Sequence, residues 1–397
     1  MNIAKAPLAP RASLRVLLAV AASVALLSPA VAQSNDPTAG LSKWSKEDLA
    51  AAEAFARRFL DDLASDEPER AMAALDTSAM LDKAFDGIGT AQTRKAMKEG
   101  AKAGIGKSLL GTFTNAGLGT RRYKRLVVVD GTLRARFRFF GEQGIAILDL
   151  DLARRGEGFV FQDVHNLTVG VSSVQEMRAM ASLMSAKLSP GLLARILGAE
   201  SLSTEDGENM QAMMQSVQGG DFAKAKQLHD KLPKTLRETS IVTAMHLQML
   251  AAGSDENAYA AALEAAAAKF PAPKFRMTLV DAHILRKRWS DAVRCLDEAM
   301  QGIERDAMLL MIRANVQLQG GDLAAARKST AEALAQEPDS DEILVRSLDV
   351  LLAAKDWPAV VKTIETLEKS GGYDFKGHID GEPWAEFRQQ PAAKPWL

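Results

Sequence analysis

RDAMLLMIRANVQLQGGDLAAARKSTAEALAQEPD, Arg305–Asp339, decides how the second half of this chain is read. Two apolar-periodic stretches flank the break Gly320-Gly321-Asp322, and Pro338 ends the second. Asp322 is placed to cap the second helix by accepting a hydrogen bond from a free N–H group. Ala326, one turn after Leu323, lets two antiparallel helices approach closely, and Leu323 fills the angle between them. The same bulky-then-small pair recurs as Phe222/Ala225, Tyr259/Ala262, Trp289/Ala292, Leu323/Ala326 and Trp357/Val360. The bulky members lie 37, 30, 34 and 34 residues apart, close to the roughly 34-residue period of a stacked two-helix repeat. Gly219-Gly220-Asp221 and Lys355-Asp356 repeat the turn.

On these residues the stretch 204–371 resembles the tetratricopeptide-repeat family. Ala314, Leu323, Ala326, Ala333 and Pro338 occupy its small, bulky, small, small and proline positions, and Trp289, Ala292, Leu296 and Ala299 match in the preceding unit. The units 205–238 and 239–272 are degenerate, with Met213 and Leu250 where a small residue is usual. The resemblance implies a solenoid of about five hairpins with a concave surface lined by each first helix, which in this family holds a protein or peptide segment. By helix position, His246, His283, Arg313, Asn315 and Gln317 are the candidate lining residues. The alternative for each is an ordinary solvated helix face, and the family's Lys/Asn/Arg clamp for a C-terminal carboxylate is missing. Cys295, the one cysteine, falls where the other units hold mostly small residues, so it reads as a packing residue and cannot form an internal disulfide. The tail 372–397, with Trp384, Phe387 and Trp396, reads as a cap on the last apolar face, or alternatively as a partner-binding arm.

Before the repeats the grammar changes. Helical periodicity near 46–63, 67–84 and 90–116 gives way to alternation between Arg122 and Val169, with Asp130-Gly131 as a hairpin turn. Glu142-Gln143 between Gly141 and Gly144 marks a second turn. Pairing Gly141 with Gly144 sets Arg136 opposite Asp149 and Arg134 opposite Asp151, with Phe137 opposite Leu148 and Ala135 opposite Leu150. Opposite charges then share one face and apolar residues the other, so the charged pairs are expected on the surface. A fourth strand is expected over Phe159–Leu167 and a helix over Val174–Lys187. Helices followed by a four-stranded meander resemble the nuclear-transport-factor-like cone, the fold of ketosteroid isomerase, which implies an apolar pocket. Alternation puts Phe159, Phe161, Asp163 and His165 on one face. If that face points inward, Asp163 and His165 form an acid/base pair; the other reading leaves both as polar groups where the strand emerges into solvent.

The beginning of the chain places it. Lys5, Arg11 and Arg15 precede an apolar run from Val16 to Leu27, then Ser28-Pro29 and the small residues Ala30-Val31-Ala32. That is a secretory leader with cleavage expected before Gln33, in a run too short for a spanning helix, and no cysteine lies near the cleavage point to carry a lipid. A soluble mature chain in a Gram-negative periplasm, or secreted, is expected, with no integral membrane span. Lys and Arg total 49 against 50 Asp and Glu, without the basic footprint of a nucleic-acid binder. Gly106-Lys107-Ser108 has the ending of a phosphate-binding loop, but Ala101 stands where its first glycine belongs. The 5 histidines are dispersed, with none paired at zinc-ligand spacing, so no metal or cofactor is expected.

The expected organisation is multidomain: leader 1–32, linker 33–45, α+β domain 46–188 with helices on a four-stranded antiparallel meander, connector 189–203, all-α helical repeats 204–371 and tail 372–397. The expected function is a non-catalytic, exported interaction or scaffold protein. The alternative is a small-ligand binder or an isomerase- or hydratase-like enzyme using a pocket of the cone.

Overall fold

The computed structural model describes residues 40–115, 120–141, 144–168, 170–186, 203–269 and 276–397. The leader, the cleavage point before Gln33, the Glu142-Gln143 turn and nearly all of the 189–203 connector lie outside the described residues. The chain divides into two compact units, one reaching Ala282 and one beginning at His283, and each is described by itself. No helix among the described residues is long and apolar enough to cross a membrane.

Ser45 opens α1 (Lys46–Ala64) by accepting from Asp48 N, with Glu47 and Asp48 at the positive end of the helix dipole. Ala52, Ala56, Phe59 and Leu63 recur at helical spacing and form its buried stripe. The helix expected over 67–84 is divided into a 3-10 helix, Pro68–Ala74, and α2, Thr77–Phe85. The division has a physical cause. Asp76 donates its N–H to Phe161 O at 2.8 Å while its carboxylate caps Ala79 N, so a new helix must start there. Gly106-Lys107-Ser108 falls inside α3, Ala91–Asn115, and not between a strand and a helix.

The strands β1 (Thr120–Val129), β2 (Thr132–Gly141), β3 (Gly144–Arg155), β4 (Gly158–Asn166) and β5 (Val171–Ser172) form an antiparallel meander in chain order, and α4 (Ser173–Ala186) follows. Asp130 and Gly131 both have positive φ, 51° and 77°, the backbone of a two-residue hairpin turn whose twist matches its strands. The β2–β3 register pairs Arg134 with Asp151, Arg136 with Asp149, Phe137 with Leu148 and Gly141 with Gly144, as the sequence predicts. One face carries the aromatic core: Phe59 meets Phe113, Phe137 and Phe161 at ring separations of 5.3, 5.7 and 5.1 Å.

The opposite face corrects the sequence reading. Arg136 and Asp149 are 3% and 0% exposed and form a two-pronged ion pair at 2.7 and 2.8 Å. Charge alternation along a strand reveals pairing but not whether that face is covered. A second correction lies in β4. Leu152 pairs with Phe161 and Leu150 with Val164, so Gln162 and Asp163 together oppose Asp151. This bulge shifts the side-chain phase by one residue. Phe161 and Val164 both enter the core, and Asp163 and His165 turn to the face away from Phe159 and Phe161.

The second half is a run of packed helical hairpins. α5 (Thr204–Gln218) pairs with α6 (Phe222–Lys231), and a one-turn helix, Lys234–Arg237, leads to α7 (Ser240–Ala251) and α8 (Glu256–Lys269). Then come α9 (Arg276–Leu285) with α10 (Trp289–Gly302), α11 (Ala307–Gln319) with α12 (Leu323–Gln336), and α13 (Asp341–Ala353) with α14 (Trp357–Lys369). Asp221, Asp255, Asp322 and Asp356 cap the second helices by accepting from Lys224, Ala258, Ala325 and Ala359 N. Arg288 holds that place at α10 without a side-chain capping bond.

Measured from these caps, Ala225, Ala292, Ala326 and Val360 are each four residues in and fully buried. Tyr259 also stands four residues after its cap, Asp255. It therefore takes the small residue's place, not the bulky one, and Ala262 is only half-buried. The cap, not the aromatic, sets the helix start. Cys295 is buried. Beyond α14, Phe375, Ile379, Trp384, Phe387 and Trp396 pack on Leu348, Ile364 and Leu367 in one cluster.

Candidate functional site

The β4 bulge brings together three groups that sequence separation hides. Asp163 Oδ1 accepts from Val164 N at 2.8 Å and Val174 N at 3.0 Å, tying the strand to the first turn of α4. Ser172 and Gln175 cap that turn reciprocally: Ser172 Oγ accepts from Gln175 N, and Gln175 Oε1 accepts from Ser172 N. With one oxygen so held, Asp163 Oδ2 lies 3.7 Å from His165 Nε2. His165 Nε2 is also 2.9 Å from Asp151 Oδ1, which Arg134 Nε approaches at 2.6 Å. Behind them, His165 pairs in register with Asp149, the partner of Arg136.

Burial pushes the Asp163 carboxyl above its ordinary range, with His165 and its hydrogen bonds pulling the other way. Burial also acts on Asp151, but the hydrogen bond and charge of His165, with Arg134, outweigh it and hold that carboxyl low. Glu176, in the second half-turn of α4, is pushed up to about 8 by burial and by the charge of Asp163. Its Oε1 is buried without a hydrogen-bond partner. One oxygen each from Asp151 and Asp163 and one nitrogen from His165 lie within 4.8 Å of one another, spacing that could hold a metal ion.

Sequence reasoning names Asp163 and His165 but not Asp151 or Glu176. Asp151 was legible only as the partner of Arg134, because its approach to His165 depends on the bulge.

The concave-surface candidates fare unevenly. Arg313 pairs with Asp297 at 2.8 Å and donates to Ser329 Oγ at 2.6 Å. Gln317 is buried, its amide 2.7 Å from Ser329 Oγ. These two side chains fasten α11 to its neighbouring helices, Gln317 buried and Arg313 half-buried. Asn315 is half-buried beside Gln319. His246 stacks on His229 with centroids 4.3 Å apart and planes 17° apart. Burial, then the charge of His229, lowers its pKa to about 4. His283 is half-buried, its Nδ1 has no hydrogen-bond partner, and burial lowers its pKa.

No family model and no curated protein matches the chain. Among solved structures, one titled "MamA MSR-1 C2" is similar over 43% of this chain and 96% of its own, with 11% identity and a TM-score of 0.34. A likeness at that level carries no argument about function.

Proposed function

We propose that this is an exported, periplasmic interaction protein whose helical run, of tetratricopeptide type, holds a segment of a protein partner without catalysing a reaction. The observation that carries the reading is the spacing of the second-helix caps, Asp221, Asp255, Arg288, Asp322 and Asp356, at 34, 33, 34 and 34 residues. Hairpins that repeat at a constant interval have equivalent first-helix faces, and a stack of such faces suits an extended chain. The leader read from the sequence supports export.

The test begins with crosslinking in the native envelope, purification and identification of what is attached. Asn315→Arg and Gln319→Arg, on the first helix of one hairpin, are expected to abolish attachment while leaving the circular dichroism spectrum unchanged. The same preparation should begin at Gln33 and come from the periplasmic fraction. Absence of a reproducible protein partner, or one that survives both substitutions, would overturn the binding reading. A preparation that still begins at Met1 would overturn export.

A further inference from the structure

We propose that Asp151, Asp163 and His165 form a site for a divalent transition-metal ion. Glu176 of α4 is near enough to Asp163 to feel its charge. The site lies outside the helical repeats and does not depend on the partner-binding reading.

Three features converge. The first is spacing. Ligand atoms about 2.1 Å from an ion stand roughly 3–4 Å from one another; His165 Nε2 lies 2.9 Å from Asp151 Oδ1 and 3.7 Å from Asp163 Oδ2. The second is pre-orientation. The N–H groups of Val164 and Val174 occupy Asp163 Oδ1, the Ser172 hydroxyl also bonds this carboxylate, and Oδ2 lies toward His165. Arg134 steadies Asp151. Such outer partners fix ligand geometry in metal sites. The third is an unmet requirement. Glu176 Oε1, on the helix that donates to Asp163, is buried with no hydrogen-bond partner, and a buried polar oxygen calls for a donor or a cation to meet it. Arg136 is committed to Asp149. One imidazole among carboxylates suits zinc, manganese or cobalt better than calcium or magnesium, which favour all-oxygen shells. Entry of the ion breaks the His165–Asp151 hydrogen bond and requires the neutral imidazole.

The test uses the untagged protein, stripped with a chelator and titrated with zinc by calorimetry and with cobalt by visible absorption. One ion per chain is expected, with cobalt bands showing nitrogen and oxygen ligation. His165→Gln and Asp163→Asn, the latter keeping an oxygen for Val164 and Val174, should each weaken binding by at least about a hundredfold, the upper end of what losing an outer-shell partner costs. Glu176→Gln should weaken it about ten- to a hundredfold. His283→Gln should leave it unchanged. No stoichiometric binding in the folded, stripped protein would mean a network of ion pairs only and would overturn the proposal. So would binding that persists in His165→Gln.

Discussion

Arg136 and Asp149 sit where water can help neither of them, whereas Arg57 and Glu53 form an i,i+4 pair of similar length with side chains 60% and 44% exposed. Removing one partner of a buried pair strands the other's charge and costs about 3–5 kcal/mol, while an exposed pair is worth about 0–1 kcal/mol. Asp149→Ala should therefore destabilise the sheet by about 3–5 kcal/mol, read as faster hydrogen exchange across β2 and β3. The double variant Arg136→Met/Asp149→Leu should recover most of that loss. Glu53→Gln should change stability by less than about 1 kcal/mol, and equal effects at the two places would contradict the burial of the sheet pair. The stacked histidines make a prediction with a sign. His246 titrates near 4 in the folded protein against about 6.5 in an unfolded chain. Between those values the unfolded state holds the extra proton. The contribution of neutral His246 is thus complete above about 6.5 and is lost as pH falls toward 4. Hydrogen exchange in α7, corrected for its intrinsic pH dependence, should show local stability declining from pH 7 to pH 4. His246→Gln should flatten that decline, and an unaltered slope would assign it to other groups.

At the scale of the element, the same substitution should act in opposite directions in two helical settings. A Cβ added to Gly320, at the end of α11, would stand 2.9 Å from Trp289 Cβ and 3.1 Å from its Cγ, at the start of α10. Gly320→Ala should destabilise by about 1–3 kcal/mol through overpacking, since φ is −76° and the backbone itself would accept alanine. Gly100, exposed within α3, has nothing within 4 Å of an added Cβ, so Gly100→Ala should stabilise by about 1 kcal/mol. Thermal melts of the two variants should move in opposite directions; a shared direction would refute the packing at Trp289. Elements of this kind were legible where a local rule acts alone. Gly141, Gly144 and the charge pattern fixed one hairpin register, and aspartate caps marked the starts of α6, α12 and α14. The β4 bulge was not legible, because Phe159, Phe161, Asp163 and His165 alternate as an unbroken strand would. The candidate cluster depends on that bulge, so only part of it could be named. Tyr259 stands four residues after its cap and is buried, so an aromatic there does not mark the bulky position. The fastening contacts of Gln317 and Arg313 were not legible because a polar residue on a first helix can bind a neighbouring helix as well as face solvent.

At the scale of the whole molecule, near-balanced charge and a repeated hairpin leave a physical problem at the end of the array. In the unit that begins at His283, the apolar face of the α13–α14 hairpin needs a cover after the last helix. The residues after α14 meet that need: Trp384, Phe387 and Trp396 are buried with Leu348, Ile364 and Leu367, and Trp396 Nε1 donates to Glu368 Oε1 at 2.9 Å. Replacing a buried aromatic of this size by alanine costs about 3–5 kcal/mol. Phe387→Ala should therefore lower the melting temperature of the unit that begins at His283. Truncation after Gly371 should go further, exposing Leu348, Ile364 and Leu367 together and driving self-association visible by light scattering. A tail that served as a partner-binding arm would behave differently. Its removal would leave the chain monomeric with an unchanged melt and would abolish only partner attachment. The two roles are separated by measuring the melt and the scattering of the truncated chain before any partner is added.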